Sequence, residues 1–436
     1  MKAFLWICLA LLLAAAQSVN AQQQAIAFTG AMIYPISSEP IENGTLVVRD
    51  GKIQAVGPAD RVRIPRNAEV VDVSGKILMP GLVDTHSHIG GGDGGDGSSP
   101  LHPDVRISDA IDARSDTFKK ARTGGVTTAN VMPGSGHLLS GQTIYLKLKD
   151  ARTVYDMFIK NPALHDGFAG GIKMANGTNS LRQPPFPGTR AKSAALQRNL
   201  FIEAQEYRQR ILDAGNDPDK MPNRNLRLEP MVEALEGKRL IHFHTHRHDD
   251  ILTVLRLQRE FGFRVVLHHV SEAWKVADEI AAAGVPSSII VLDTPGGKLE
   301  AINLLYNNGR ALEEVGADVA FHTDDGVTDS RLFFRMAAFA VRDGMSREAA
   351  LEALTLAGAR MLDLEDRVGS LETGKDADFI ILNGDPFSVY THVMQTWIEG
   401  EMVFDRNNPD HVPYAVGGHE VYRGEFFDHY STGGAQ

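Results

Sequence analysis

The middle of this 436-residue chain repeats a helix followed by a strand, and this rhythm constrains the fold more than any other feature. A helix is predicted at 110–122 and a strand at 125–132, and similar pairs follow at 251–268, 274–292 and 312–322. Helices that alternate with strands build parallel βα units, and eight such units close a barrel. An open doubly wound sheet is the structural alternative, but the sequence shows no glycine-rich dinucleotide fingerprint that would favour it.

Strand-rich segments stand at both ends of the chain. Residues 25–76 contain short apolar strands with a hairpin signal at Asp50-Gly51, and a similar segment returns at 374–404. We therefore predict an α/β protein, a (β/α)8 TIM barrel with a small β-sandwich domain built from both chain ends. The predicted parts are a signal peptide at 1–21, the β-sandwich at 22–80 and 368–436, and the barrel at 81–367 with an insertion near 180–236.

The N-terminus has the pattern of a secretory signal peptide. Lys2 supplies the positive charge, residues 4–16 the apolar core, and the segment 19–21 a small-residue cleavage site. The apolar run is shorter than the ~20 residues that span a bilayer, so no membrane anchor is expected after cleavage. The predicted location is secreted or periplasmic. Cys8 is the only cysteine and lies inside this segment, so the mature chain would have no thiolate metal ligand.

The charge balance excludes some classes of partner. The formal net charge is -11 at pH 7, and no block of lysine or arginine occurs in the chain. This balance argues against nucleic acid and against an anionic membrane surface as partners. We expect a small-molecule substrate, and the sequence leaves open whether the chain forms a homo-oligomer.

Histidines cluster where predicted strands end. His86 and His88 are two residues apart, so their side chains point to the same face of the strand and can bind one transition metal ion. The other candidates in equivalent places are Lys173, the histidines of 242–248, the pair His268-His269, and Asp324. The C-terminal ends of the strands are where such barrels place their chemistry. The pattern therefore predicts a metal site with nitrogen and oxygen ligands.

The residues alone leave alternatives open within this set. The run 242–248 offers four histidines on one strand face, at positions 242, 244, 246 and 248. His268 and His269 point to opposite faces of a strand, so only one can be a ligand, and the other is expected to pack against a helix. Lys173 has the alternative of a surface or salt-bridged lysine. Asp325 competes with Asp324 as the ligand.

Over essentially all of its mature length the chain resembles the amidohydrolase superfamily. The segments that carry the resemblance are 80–88, 124–128, Thr323-Asp324 and 368–378. Within the superfamily the chain is most similar to the imidazolonepropionase-related group, which includes enzymes that cut peptides and acyl amino acids. The motifs for this group are the segments 133–136, 140–142, 172–175 and 269–278.

The resemblance implies a set of site residues. The implied metal ligands are His86, His88, Lys173, His244, His269 and Asp324. Lys173 would bridge two ions only after carbon dioxide has converted it to a carbamate. One or two divalent ions are expected, with zinc the best match to these ligands and manganese, iron or cobalt as alternatives. The candidate substrate-binding residues are Arg247, His246 and His137; for Arg247 the alternative is an ion pair with Asp249 or Asp250.

The implied function is an exported metal-dependent hydrolase that uses metal-activated hydroxide to cleave an amide C–N bond outside a nucleobase. A dipeptide, an N-acyl amino acid or a cyclic amide would be the substrate, with Asp324 as the catalytic proton carrier. Alternatives are a mononuclear imidazolonepropionase-like ring-opening hydrolase or a deaminase. Deaminases of this superfamily typically have a Glu three residues after the fifth-strand His, where this chain has Arg247. A catalytically inactive metal-binding protein is the alternative from another class.

Overall fold

The computed structural model describes residues 24–92, 95–291, 298–418 and 421, so the predicted signal peptide and Cys8 lie outside the described residues. No helix in the described part is long and apolar enough to cross a membrane. The strands are β1 (Ile26–Ile33), β2 (Ile41–Arg49), β3 (Lys52–Pro58), β4 (Glu69–Asp72), β5 (Ile77–Pro80), β6 (Leu82–Ser87), β7 (Val126–Val131), β8 (Leu139–Gln142), β9 (Ile144–Lys147), β10 (Ile172–Ala175), β11 (Ile241–Thr245), β12 (Val265–His269), β13 (Ser287–Ile289), β14 (Val319–Phe321), β15 (Phe379–Leu382), β16 (Val393–Ile398) and β17 (Glu401–Asp405). The α-helices are α1 (Asp116–Thr123), α2 (Arg190–Ala214), α3 (Glu229–Leu235), α4 (His248–Phe261), α5 (Ala277–Ala283), α6 (Asn308–Glu314), α7 (Phe333–Arg342), α8 (Arg347–Ala353), α9 (Leu356–Arg360) and α10 (Val412–Val416).

Strands from both chain ends share one eight-stranded sheet, in the order β17-β16-β15-β5-β1-β2-β3, with β4 paired to β1. The predicted hairpin is confirmed, because β2 and β3 pair antiparallel across a turn in which Asp50 and Gly51 have φ angles of 52° and 74°. The two ends meet where β5 pairs antiparallel with β15. On the buried face, the ring of Phe28 lies 4.9 Å from that of Phe379 and 5.1 Å from that of Trp397.

The middle of the chain forms a six-stranded sheet, β14-β13-β12-β11-β10-β8, and a three-stranded sheet, β6-β7-β9. The predicted helix and strand pairs are present, and β10 to β14 are parallel throughout. The two sheets approach each other at their ends, where Asp324 N donates to His86 O at 2.9 Å and His88 N donates to Asp325 O at 3.1 Å. These bonds place the ends of β6 and β14 side by side.

One part of this region differs from a regular repeat of parallel units. Between β7 and β10 the chain forms β8 and β9, which pair antiparallel with β10 and β7. Helix α1 also begins later than predicted, at Asp116, because the Ser115 side chain accepts a hydrogen bond from Thr117 N and caps the helix there. The predicted insertion contains the long helix α2, whose N-terminus is capped by Thr189 in the same way.

A buried ion cluster joins β9 to the eight-stranded sheet. Lys147 Nζ lies 2.8 Å from Asp376 and 2.6 Å from Asp378, and the three side chains are each 2% exposed. Lys52 and Arg367 also contact Asp376, at 2.5 and 2.9 Å. Burial by itself raises the pKa of Asp376, but Lys147 and the other cations outweigh it and lower the pKa to about 2. The cluster therefore holds Asp376 as an ionised carboxylate where β9 meets the eight-stranded sheet, whereas burial raises the pKa of Asp378.

Candidate metal centre

The first group of candidate ligands consists of His86, His88 and Asp324, all buried. Asp324 Oδ1 lies 2.9 Å from His88 Nε2 and 3.2 Å from His86 Nε2, and the two histidine nitrogens are 3.2 Å apart. His86 is the next-to-last residue of strand β6, and Asp324 follows β14 with a left-handed φ of 51°. The structure therefore brings together the first and last of the predicted ligands.

Neighbouring groups fix the orientation of this first group. His88 Nδ1 donates to Met132 O at 2.8 Å, because a carbonyl oxygen can only accept, and this bond turns His88 Nε2 towards His86 and Asp324. Asp84 accepts a hydrogen bond from Thr323 N at 3.0 Å and so connects β6 with the segment that carries Asp324. Burial raises the pKa of Asp84 to about 7.

The second group consists of His244, His246 and His269, also buried. The ring centroids are 4.4 Å apart for His244 and His269, and 4.6 Å apart for His244 and His246. His246 Nδ1 is hydrogen-bonded to Ser271 Oγ at 2.7 Å, so its Nε2 is the nitrogen that faces the cluster. The two groups adjoin, because His269 Nδ1 lies 4.0 Å from Asp324 Oδ2.

The structure corrects three expectations about the remaining histidines. His268 does not pack against a helix: its Nε2 is bonded to His242 Nδ1 at 2.9 Å, and its ring lies 5.0 Å from that of His86. The strand alternation breaks at His269, which has a left-handed φ of 70°, so both histidines face the interior. His248 does not share the face of His244, because it begins helix α4 and is bonded to Glu272 at 2.6 Å.

Lys173 lies next to the first group and not on the surface. Its side chain is fully buried, and Nζ is 3.0 Å from His86 Nε2 and 3.1 Å from Met132 Sδ. Among the residues that the structure describes, no carboxylate oxygen lies within ion-pair distance of Lys173 Nζ, so the alternative of a surface or salt-bridged lysine is wrong. Burial lowers the pKa of Lys173 to about 7.

One acidic residue at this centre, Glu300, was not predicted from the sequence. Its side chain is buried, Oε2 accepts a hydrogen bond from Thr178 N at 2.6 Å, and Oε1 lies 3.9 Å from His244 Nε2 and 4.0 Å from His246 Nε2. Glu300 follows β13, so the rule that placed the other candidates after strands also applied to it. Glu300 was not recognised as a candidate because it lies well beyond the end of β13 in the sequence.

The candidate substrate-binding residues lie in different surroundings. Arg247 forms the ion pair that was its alternative, with two bonds of 3.0 Å to Asp249, and its side chain is 42% exposed. His137 belongs to neither group; it is buried against the ring of Phe186 at 5.1 Å, and burial lowers its pKa to about 4. A role for either residue in substrate binding stays a prediction.

The donor atoms of both groups fit a divalent metal ion. Burial lowers the pKa values of His86, His246 and His269 well below the usual range of histidine, so the rings are neutral, as metal binding requires. Nε2 of His246, Nε2 of His269 and Oε1 of Glu300 are buried with no hydrogen-bond partner among the described residues. Each buried polar atom without a partner lowers the folding stability by about 1–3 kcal/mol, and coordination to an ion would offset this loss. Nitrogen with carboxylate oxygen is a donor set that suits zinc.

Comparison with known proteins identifies the family. A solved amidohydrolase structure from Thermotoga maritima is 33% identical, with a TM-score of 0.81, and the match covers 87% of this chain and 100% of that chain. The chain belongs to the amidohydrolase family. The family's own sequence profile matches residues 208–404. Members are metal-dependent hydrolases that act on carbon–nitrogen bonds, which agrees with the predicted class.

Two other relatives of this amidohydrolase-family chain bear on its function. An imidazolonepropionase from Bacteroides thetaiotaomicron is 26% identical over 84% of this chain and 93% of that protein. The amidohydrolase tasK from Hapsidospora irregularis is also 26% identical over 84% of this chain, but the chain spans only 39% of the length of that protein.

Proposed function

We propose that this chain is an exported metal-dependent hydrolase that cleaves the C–N bond of a non-nucleobase amide, such as a dipeptide, an N-acyl amino acid or a cyclic amide. The observation that carries the proposal is the adjacency of two buried ligand groups, with His269 of one group 4.0 Å from Asp324 of the other. Two ions held side by side can bind both the attacking and the leaving atoms of a hydrolysis.

The proposed architecture is a TIM barrel closed between β14 and β6, with the eight-stranded sheet as a small β-sandwich domain. The bonds between the ends of β6 and β14 support closure, and the pairing of β5 with β15 supports one domain from both chain ends. We place its parts at 22–80 and 368–436 and the barrel at 81–367. We assign residues 1–21 to a signal peptide and the mature enzyme to the periplasm or the medium.

We assign zinc to both groups and a carbamate to Lys173. His86, His88 and Asp324 would hold the first ion, and His244 with His269 would hold the second. A buried ammonium next to His86 would repel the ions, whereas a carbamate at Lys173 would supply two oxygen donors there. The burial of Lys173, with no carboxylate partner among the described residues, supports this modification.

The chain's own residues would position the substrate and move the proton. A bound divalent ion supplies Lewis acidity, which polarises the scissile carbonyl and lowers the pKa of water. Asp324 is the catalytic residue: one oxygen contacts the histidine nitrogens and the other is available to take a proton and return it to the leaving amine. His322 positions His269, since its Nε2 is 3.1 Å from His269 Nδ1 and its Nδ1 is bonded to Ser288.

Ring opening of an imidazolonepropionate-like cyclic amide is the second candidate function. It is favoured by the curated relatives of that name, which match 84% of this chain. Deamination is less well supported, because Arg247 stands where such enzymes carry a Glu and is paired with Asp249. The complete ligand groups argue against an inactive metal-binding protein.

Removing the metal tests the proposed function. After dialysis against a chelator we expect hydrolysis of every amide in a panel of dipeptides, N-acetyl amino acids and imidazolonepropionate to stop, and zinc to restore it. We also expect the thermal midpoint to fall, because an ion that binds only the folded chain stabilises it. The readouts are amine release and calorimetry. Turnover that persists in the metal-free protein would contradict the proposal.

The Lys173→Ala variant tests the carbamate. We expect its metal content to fall towards one ion per chain, because the carbamate oxygens would be lost as ligands. Wild-type protein grown with ¹³C-labelled bicarbonate should show a carbamate carbon signal by NMR that the variant lacks. Lys192→Ala, which replaces an exposed lysine on helix α2, is the control and should keep both the signal and the metal. An unchanged metal content in Lys173→Ala would remove Lys173 from the centre.

A further inference from the structure

Glu300 and His246 converge on the second ligand group from two different segments of the chain. His246 lies one residue beyond β11, and Glu300 lies in the segment that follows β13. Both side chains are buried, and Glu300 Oε1 is 4.0 Å from His246 Nε2 and 3.9 Å from His244 Nε2. We propose that His246 and Glu300 complete, with His244 and His269, the coordination sphere of a second divalent metal ion. The inference rests on the proposed metal centre and goes beyond its assigned ligands.

The spacing of the donor atoms fits one ion. Ligand atoms around a tetrahedral zinc ion are about 3.3 Å apart, as follows from bonds of about 2.0–2.1 Å. The donor nitrogens of His244, His246 and His269 all lie within 4.8 Å of one another. Glu300 Oε1 is therefore less than an ångström too far from two of them, a gap that small side-chain rotations close.

His246 and Glu300 are each oriented by a bond on the side away from the donor atom. Ser271 Oγ is placed 2.7 Å from His246 Nδ1 to accept its proton, which leaves the Nε2 lone pair for the ion. Asn179 Nδ2 lies 3.2 Å from His244 Nε2 and donates to it, so Asn179 would release this nitrogen when the ion binds. Glu300 is held through Oε2 by Thr178 N, with Oε1 directed at the histidines. The same pattern orients His88 in the first group, through Met132 O.

Glycine at position 177 allows this approach. Gly177 has a left-handed φ of 72°, and a Cβ at this position would collide with Oε2 of Glu300. The carboxylate is therefore packed directly on the backbone after β10. A substrate ammonium group is the other chemical partner that Glu300 by itself would suit. It does not account for the two histidine nitrogens that face the same carboxylate oxygen.

Metal titration of variants tests the inference. The full-length protein is treated with a chelator and titrated with Co²⁺, and binding is followed by visible absorption and calorimetry. We expect two binding steps in the wild type. Glu300→Gln, which keeps the size and the acceptor for Thr178 N, and His246→Ala should each weaken the second step at least 10-fold and change its absorption spectrum. Ser271→Ala should weaken it in the same direction.

The controls separate this inference from the proposed function. His248→Ala removes a part-exposed histidine two residues from His246 and should leave both steps unchanged. Two wild-type steps that Glu300→Gln and His246→Ala leave intact would overturn the inference and leave the two-ion centre standing. If a raised KM for amino-terminated substrates accompanied that result, Glu300 would be an ammonium-binding residue. A single wild-type binding step that these variants abolish would support the four ligands of this site but contradict a centre with two ions. If the wild type bound no metal ion, both the inference and the proposed function would be overturned.

Discussion

Asp324→Asn is expected to lower kcat about 1,000-fold while the protein stays folded. The asparagine keeps the shape of the side chain and one neutral oxygen near His86 and His88, but it can no longer take a proton from water or pass it to the leaving amine. Loss of a general acid–base group costs about 10²–10⁴-fold, and an amide has a poor leaving group that depends on this proton. The measurement is amine release from the best substrate of the amide panel.

Two further measurements check that a loss of activity in Asp324→Asn is not caused by unfolding or by loss of the metal. The thermal midpoint should stay near that of the wild type, and at least one metal ion should remain bound. Asp366→Asn, at an exposed position, is the matched control and should retain full activity. If Asp324→Asn kept more than a tenth of the wild-type kcat, Asp324 would not be the proton carrier.

Lys147→Met is expected to cause the largest loss of stability, about 3–5 kcal/mol. The methionine fills a similar volume but leaves Asp376 and Asp378 without the cation that lies 2.8 and 2.6 Å from them. Breaking a buried ion pair is costly because the remaining charges are kept from water. We expect the thermal midpoint to fall by roughly 3–6 °C, measured by differential scanning calorimetry.

Lys149→Met is the matched control for this prediction. Lys149 lies two residues further along and pairs with Glu399, but both side chains are about 30% exposed, so the loss should be about 0–1 kcal/mol. Adding Asp376→Asn and Asp378→Asn to Lys147→Met should recover part of the stability, because it neutralises the stranded charges. Equal losses in Lys147→Met and Lys149→Met would show that burial does not set the strength of this cluster.

The first ligand group could be predicted because it follows from local spacing. His86 and His88 stand two residues apart on a strand, and a short-range rule places such side chains on one face. The positions of Lys173, His244 and Asp324 after predicted strands were enough to bring them to one end of the parallel sheet. The structure shows these side chains buried close to one another, as that reasoning requires.

The parts that escaped prediction depend on tertiary structure. Glu300 reaches the histidines only because Thr178 N, more than a hundred positions earlier, holds its carboxylate. His268 and His269 can both face the interior because His269 has a left-handed φ, and no glycine marks that position. Strands β8 and β9 are short buried runs, so sequence periodicity could not distinguish their antiparallel pairing from a further parallel unit.

The most direct test of the metal centre is a crystal of the enzyme expressed with zinc and bicarbonate, with diffraction data collected on both sides of the zinc absorption edge. The account predicts two anomalous peaks, one among His86, His88 and Asp324 and one among the histidines at 244, 246 and 269. Protein that carries zinc in solution but shows no anomalous peak at either group would contradict it.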